Sequence, residues 1–161
     1  MHRVMIVHES WLMREILKSE LVKCHCHVVY CASTCLDARI AYRLHKPDIV
    51  FVDTTQNANR GQQTIQNILD LDNTAAVIAL VHPDGDTAAL HALVSGARGF
   101  LTISSPADVI QQELNRIAEV NPQSQIIAKT MDMPIAVRIR SVLRMLSGWR
   151  TWSRRGVTES L

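Results

Sequence analysis

The 161 residues are 47% apolar but only 4% aromatic, which allows one aliphatic core of ordinary domain size and a short appendage. No secretory apolar region follows the opening "MHRVMIVHES" and no apolar run reaches membrane-span length, so a cytoplasmic protein is expected. The net charge of +2 conceals a split: residues 1–120 carry 10 Lys+Arg and 13 Asp+Glu, whereas residues 121–161 carry 7 and 2, so a mildly acidic domain bears a basic tail suited to an anionic partner.

In chain order, apolar runs alternate with helical patterns. "RVMIVH" (3–8) reads as a strand, and "WLMREILKSELVK" (11–23) as a helix with Leu12, Ile16, Leu17 and Leu21 on one face. "HVVYCA" (27–32) is a second strand, and "TCLDARIAYRLHK" (34–46) a helix stopped by Pro47. "DIVFVD" (48–53) is a third strand, followed by a helix over "QQTIQNILDL" (62–71) with its stripe on Ile65, Ile68 and Leu69. "AAVIALV" (75–81) is the fourth strand, and "TAALHALVSGA" (87–97) a small-residue helix closing at Gly96. "RGFLTI" (98–103) is the fifth strand, and "SSPADVIQQELNRIAEV" (104–120) opens a helix with a capping serine and Pro106 in its first turn.

Strand and helix repeated five times imply parallel strands joined by right-handed crossovers. The near-continuous apolar strands suit a sheet covered on both faces. The expected fold is α/β: a doubly wound, flavodoxin-like five-stranded parallel sheet of order 2-1-3-4-5 over residues 1–120, with a C-terminal helical extension over 121–161. In such a sheet the working crevice lies at the carboxyl ends of strands 1 and 3, which places His8, Glu9 and Asp53 there. Asp53 ends a buried strand, and a carboxylate in that position is costly unless something pairs with it.

All four cysteines lie in "CHCHVVYCASTC" (24–35), with His25 and His27 among them. The C-x-C spacing matches no common zinc pattern, so the cysteines read as small apolar residues of a loop and a strand, without disulfides.

"IVHESWLMR" (6–14), "PDIVFVD" (47–53), Gly61 and "SGARGFLT" (95–102), in register with the five-fold alternation, resemble the receiver domain of bacterial response regulators. The resemblance places Asp53 at the phosphoacceptor position and His8–Glu9 at the acidic pair that holds a divalent cation. It places Val81 where the family has a Ser or Thr that follows the phosphate, and Ile103, or at best Thr102, where it has a charge-balancing Lys. The family's Met-Pro turn falls on Gln56–Asn57. An imidazole replaces one hard oxygen ligand, so magnesium at Glu9 and Asp53 is not expected, and no other cofactor is implied. The resemblance therefore implies a degenerate receiver in which His8 and backbone N–H groups satisfy Asp53, or else a slow phosphoacceptor without a switch.

In the tail, Ile135, Ile139, Val142, Leu146 and Trp149 recur at spacings of 4, 3, 4 and 3, a helical stripe, with Arg140 and Arg144 opposite. The stripe suits self-packing or a homodimer, a partner groove or an anionic membrane surface, or a remnant of the helix-turn-helix of the LuxR type that follows many receivers. "RIRSVLRMLSGW" and "RRGVTES" resemble parts of that unit, but its register is off and the sequence ends where the recognition helix would begin. "WRTWSRR" could also stack on a nucleotide such as a cyclic dinucleotide.

No catalytic triad, phosphate loop or metalloprotease motif occurs, so an enzyme is not expected. The expected function is a phosphorylation-independent signalling module of two-component systems that binds protein partners. The alternative is a divergent or truncated transcription regulator that contacts DNA as a dimer.

Overall fold

The computed structural model describes residues 1–119, which lie within a compact unit, Met1–Ser124. The expectations for Ile135, Ile139, Arg140, Val142, Arg144, Leu146 and Trp149 fall outside the described residues.

The elements alternate as the periodicity predicts: β1 (Arg3–Val7), α1 (Trp11–Lys23), β2 (His27–Ala32), α2 (Cys35–His45), β3 (Ile49–Asp53), α3 (Ala58–Leu69), β4 (Ala76–Val81), α4 (Asp86–Val94), β5 (Gly99–Thr102) and α5 (Ala107–Glu119). The five strands form one parallel sheet of order β2-β1-β3-β4-β5. The doubly wound, flavodoxin-like fold expected from the sequence is the observed one.

Side chains alternate across a strand, so each strand feeds two layers. Val4, Ile6, Ile49, Phe51, Ile78, Leu80 and Leu101 meet Leu17 and Leu21 of α1 and Ile110, Leu114 and Ile117 of α5 in one cluster. The intervening residues, among them Met5, Val50, Val52, Val77 and Ala79, are also fully buried, on the side where α2, α3 and α4 pack in sequence. Full burial of each large aliphatic stabilises by roughly 1.5–3 kcal/mol, so the central strands alone anchor the domain.

Helix starts follow their caps. Ser10, Thr34 and Asn57 accept backbone N–H bonds from Met13, Asp37 and Arg60 and open α1, α2 and α3. Asn57 starts α3 four residues earlier than the apolar pattern predicts, so Gly61 lies inside the helix. A Cβ on Gly61 would stand 2.7 Å from Thr54 Cγ2 and 2.8 Å from the Asp53 carbonyl oxygen. Glycine here lets α3 approach the end of β3. Pro106 lies just before α5, where its carbonyl accepts the Ile110 N–H.

The expected face of α1 divides. Leu17 and Leu21 are buried, whereas Leu12 and Ile16 are 52% and 44% exposed. At about 100° per residue, Leu12 and Ile16 lie well around the helix from Leu17 and Leu21. All four cysteines are free. Cys24 and Cys26 fill the buried turn between α1 and β2, and burial pushes both thiols up, Cys26 to about 11. Among the described residues no group of three or more His, Cys, Asp or Glu side chains could hold a metal ion, and no helix is long and apolar enough to cross a membrane.

Candidate functional site

The parallel register aligns the carboxyl ends of the strands. Val7 pairs with Val52, Asp53 with Leu80, and Val81 with Thr102. The next backbone N–H groups continue the ladder, from His8 to the Ala32 carbonyl, Thr54 to Leu80 and Ile103 to Val81, each at 3.0 Å. His8, Asp53, Val81 and Ile103 thereby reach one edge of the sheet.

There His8 Nε2 stands 3.4 Å from Asp53 Oδ2, with side chains 1% and 7% exposed. The other ring nitrogen, Nδ1, accepts the Ser10 backbone N–H at 3.0 Å. Nδ1 therefore carries a lone pair, and in the neutral imidazole the proton sits on Nε2, facing Asp53. Nε2 nonetheless makes no hydrogen bond and is an orphaned buried polar atom among the described residues. The contact is thus electrostatic, close but misaligned. Burial holds His8 below its ordinary value of 6.5, with Arg14 adding to that and Asp53 and Glu9 opposing it. That direction, together with the Ser10 N–H donated to Nδ1, favours the neutral ring beside Asp53.

The second oxygen of Asp53 turns back on its own chain. Oδ1 accepts the Thr55 N–H at 2.8 Å and the Thr55 hydroxyl at 2.6 Å. Next to it, Thr54 is buried and its hydroxyl donates to the Leu80 carbonyl at 2.8 Å, tying the end of β3 to β4. The reading of the sequence missed both threonines. "DTT" carried the signal, since Asp and Thr hydrogen-bond to the backbone of neighbouring residues in turns.

Glu9 is engaged with a third residue. Its carboxylate pairs with Arg60 at 2.9 Å on the exposed surface. Arg14 Nη1 reaches back to the carbonyls of His8 and Glu9 at 2.7 and 3.0 Å and fixes the turn after β1. A cleft of about 370 Å³ is lined by His8, Glu9, Asp53, Asn57 and Arg60 among others, but by neither Val81 nor Ile103. Val81 is buried, and the hydroxyl of Thr102 is engaged with that of Ser105 at 2.9 Å.

This donor set does not fit magnesium. A hard cation needs convergent oxygens. Here the Glu9 carboxylate is paired with Arg60, the imidazole faces the Asp53 carboxylate, and one Asp53 oxygen already holds two hydrogen bonds.

The comparisons with known proteins agree with this geometry at the level of the fold. The chain is 29% identical over 115 residues to the chemotaxis protein CheY of Bacillus subtilis, covering 71% of this chain and 96% of that protein. It is 27% identical over 117 residues to CheY of Thermotoga maritima, covering 73% and 98%. Among crystal structures, a two-component response regulator of the LuxR family from Aurantimonas aligns at 30% identity and a TM-score of 0.64, over 73% of this chain and 85% of that one. The receiver domain of the putative response regulator NarL from Mycobacterium tuberculosis aligns at 23% identity and a TM-score of 0.65, over 74% and 98%, a likeness of fold. The family described as the response regulator receiver domain matches residues 4–115. With the sheet order, the aspartate at the end of β3 and this match in agreement, the chain belongs to the response regulator receiver domain family of two-component signalling.

Proposed function

We propose that this receiver works without phosphorylation of Asp53 and signals by binding protein partners, in the cytoplasm, as a domain of residues 1–120 bearing a basic tail. One observation carries the reading: both oxygens of Asp53 face groups of the chain itself, Thr55 on one side and the neutral His8 ring on the other. Phosphoryl transfer to a carboxylate depends on cations to balance the incoming charge. By the resemblance, the acidic pair that would hold a cation is His8–Glu9, the charge-balancing Lys position is Ile103 and the Ser/Thr position that follows the phosphate is Val81, while the one remaining acid of the pair, Glu9, is engaged with Arg60. His8, Glu9, Val81 and Ile103 are thus read as a site that has given up the switch, and Asp53 as a structural carboxylate.

The test is to add acetyl phosphate or beryllofluoride with magnesium and follow the amide NMR spectrum. The expected result is no change beyond the immediate surroundings of Asp53. Shifts spreading into β4 and β5, and lost in Asp53→Asn, would sink the reading.

A second reading is a regulator that contacts DNA as a dimer, favoured by the 30% identity to a regulator of the LuxR family. Fluorescence anisotropy with genomic DNA fragments separates the two: salt-sensitive, saturable binding by the full chain supports the regulator.

A further inference from the structure

The large aliphatic residues of α2 point away from the core. Ala38, Ala41 and Tyr42 face inward, while Leu36, Ile40 and Leu44 are 68%, 55% and 73% exposed. These three, spaced four apart, form one stripe along the outer side of the helix. Arg39 and Arg43 run along one flank, and the five residues line a shallow groove of about 370 Å³.

The two arginines differ from the others. Arg3 donates to the His45 carbonyl, Arg14 to the turn after β1, and Arg98 to the Thr74 carbonyl, while Arg60 pairs with Glu9 and Arg116 with Glu113. Among the described residues, only Arg39 and Arg43 are arginines with no hydrogen bond or ion pair. Asp37, on the other flank, does not neutralise them. Its carboxylate is held by the Tyr30 hydroxyl at 2.9 Å and the Ser33 N–H at 3.0 Å.

From this we infer that the outer face of α2 binds an acidic amphipathic helix of another protein. The apolar residues of that helix cover Leu36, Ile40 and Leu44, and its carboxylates accept forked hydrogen bonds from Arg39 and Arg43. Charge argues against the other occupants. A second copy packed antiparallel would lay one arginine flank on the other, and a parallel copy would offer only Asp37, which is already engaged. The chain's own residues 121–161 carry 7 Lys+Arg against 2 Asp+Glu, the same sign as the groove. The inference rests on the reading that this chain acts by protein contact, and it supplies the chemistry of the partner.

The experiment uses the full chain and two fluorescein-labelled helical peptides that share a leucine stripe, one flanked by Glu and the other by Lys. By anisotropy, the Glu peptide should bind at least about tenfold more tightly, one decade in Kd. The double variant Arg39→Glu/Arg43→Glu, both at the surface, should reverse that order, and Ile40→Ser should weaken both peptides. Circular dichroism confirms that the variants stay folded. Peptide-induced amide shifts should map to α2. No binding of the Glu peptide, equal binding of both, or no effect of the arginine variants would overturn the inference. Shifts confined to α1 and α5 would remove this surface yet leave action by protein contact standing. A spreading response to acetyl phosphate would remove phosphorylation independence while leaving this surface intact.

Discussion

His8 and Asp53 form a close pair at the end of the sheet, with side chains 1% and 7% exposed, in which burial favours the neutral imidazole. Ser10 decides which nitrogen faces the carboxylate, because its N–H occupies Nδ1 and leaves the proton of the neutral ring on Nε2. A buried carboxylate is thereby faced by dipoles, from His8 and Thr55, where a phosphorylated receiver needs cations.

Burial of His8 makes stability depend on pH in a definite direction, which Asp53 only partly offsets. His8 is held below its ordinary value of 6.5, chiefly by burial. As pH falls below 6.5 the unfolded chain takes up the proton before the folded one does, so stability is lost from there down through the lowered folded value and levels off below it. Urea unfolding across this window should show the wild-type midpoint falling. His8→Leu should lose that part of the slope. Parallel curves for the two proteins would contradict the assignment.

Magnesium should bind weakly. With Glu9 drawn to Arg60 and a nitrogen in place of an oxygen ligand, titration followed by tryptophan fluorescence should show no saturable change at sub-millimolar metal. His8→Asp should bring such a change in, and Glu9→Gln in that background should remove it. Saturable quenching in the wild type would count against this account of the site.

Gly61→Ala tests the seat of α3. The new methyl would stand 2.7 Å from Thr54 Cγ2 and 2.8 Å from the Asp53 carbonyl, and the latter is backbone that cannot turn aside. Overpacking of this kind costs about 1–3 kcal/mol. Equilibrium denaturation should show a loss in that range. A neutral result would mean that α3 slides along β3 without cost.

The tail should drive self-association. Leaving Ile135, Ile139, Val142, Leu146 and Trp149 in water is unfavourable by roughly 1.5–3 kcal/mol each on a helix, and a second copy of the stripe is the simplest cover. Light scattering should report a dimer for the full chain and a monomer for Ile139→Asp/Leu146→Asp. A monomeric wild type would transfer the stripe to intramolecular packing. A dimer that survives both substitutions would place the contact elsewhere and leave the tail for an anionic surface.

The sequence by itself determined the layers. Runs such as "IVFV" and "AVIALV", short and bounded by turn residues, read as buried strands between covered faces, and the helical patterns between them imply parallel crossovers. The order 2-1-3-4-5, which puts His8, Glu9 and Asp53 at one edge, comes from the doubly wound fold type, and the tertiary structure has that order. The sequence could not determine where each side chain spends its hydrogen bonds, because that depends on neighbours distant in the chain. Glu9 pairs with Arg60, fifty-one residues on. Periodicity also failed where two apolar groups share one helix: only packing against the sheet shows that Leu17 and Leu21 go inward while Leu12 and Ile16 do not, and that α2 keeps Ala38 and Ala41 inside and leaves Leu36, Ile40 and Leu44 facing out. A helix can bury only the side that its sheet covers, and which apolar stripe meets that cover is decided by the tertiary structure.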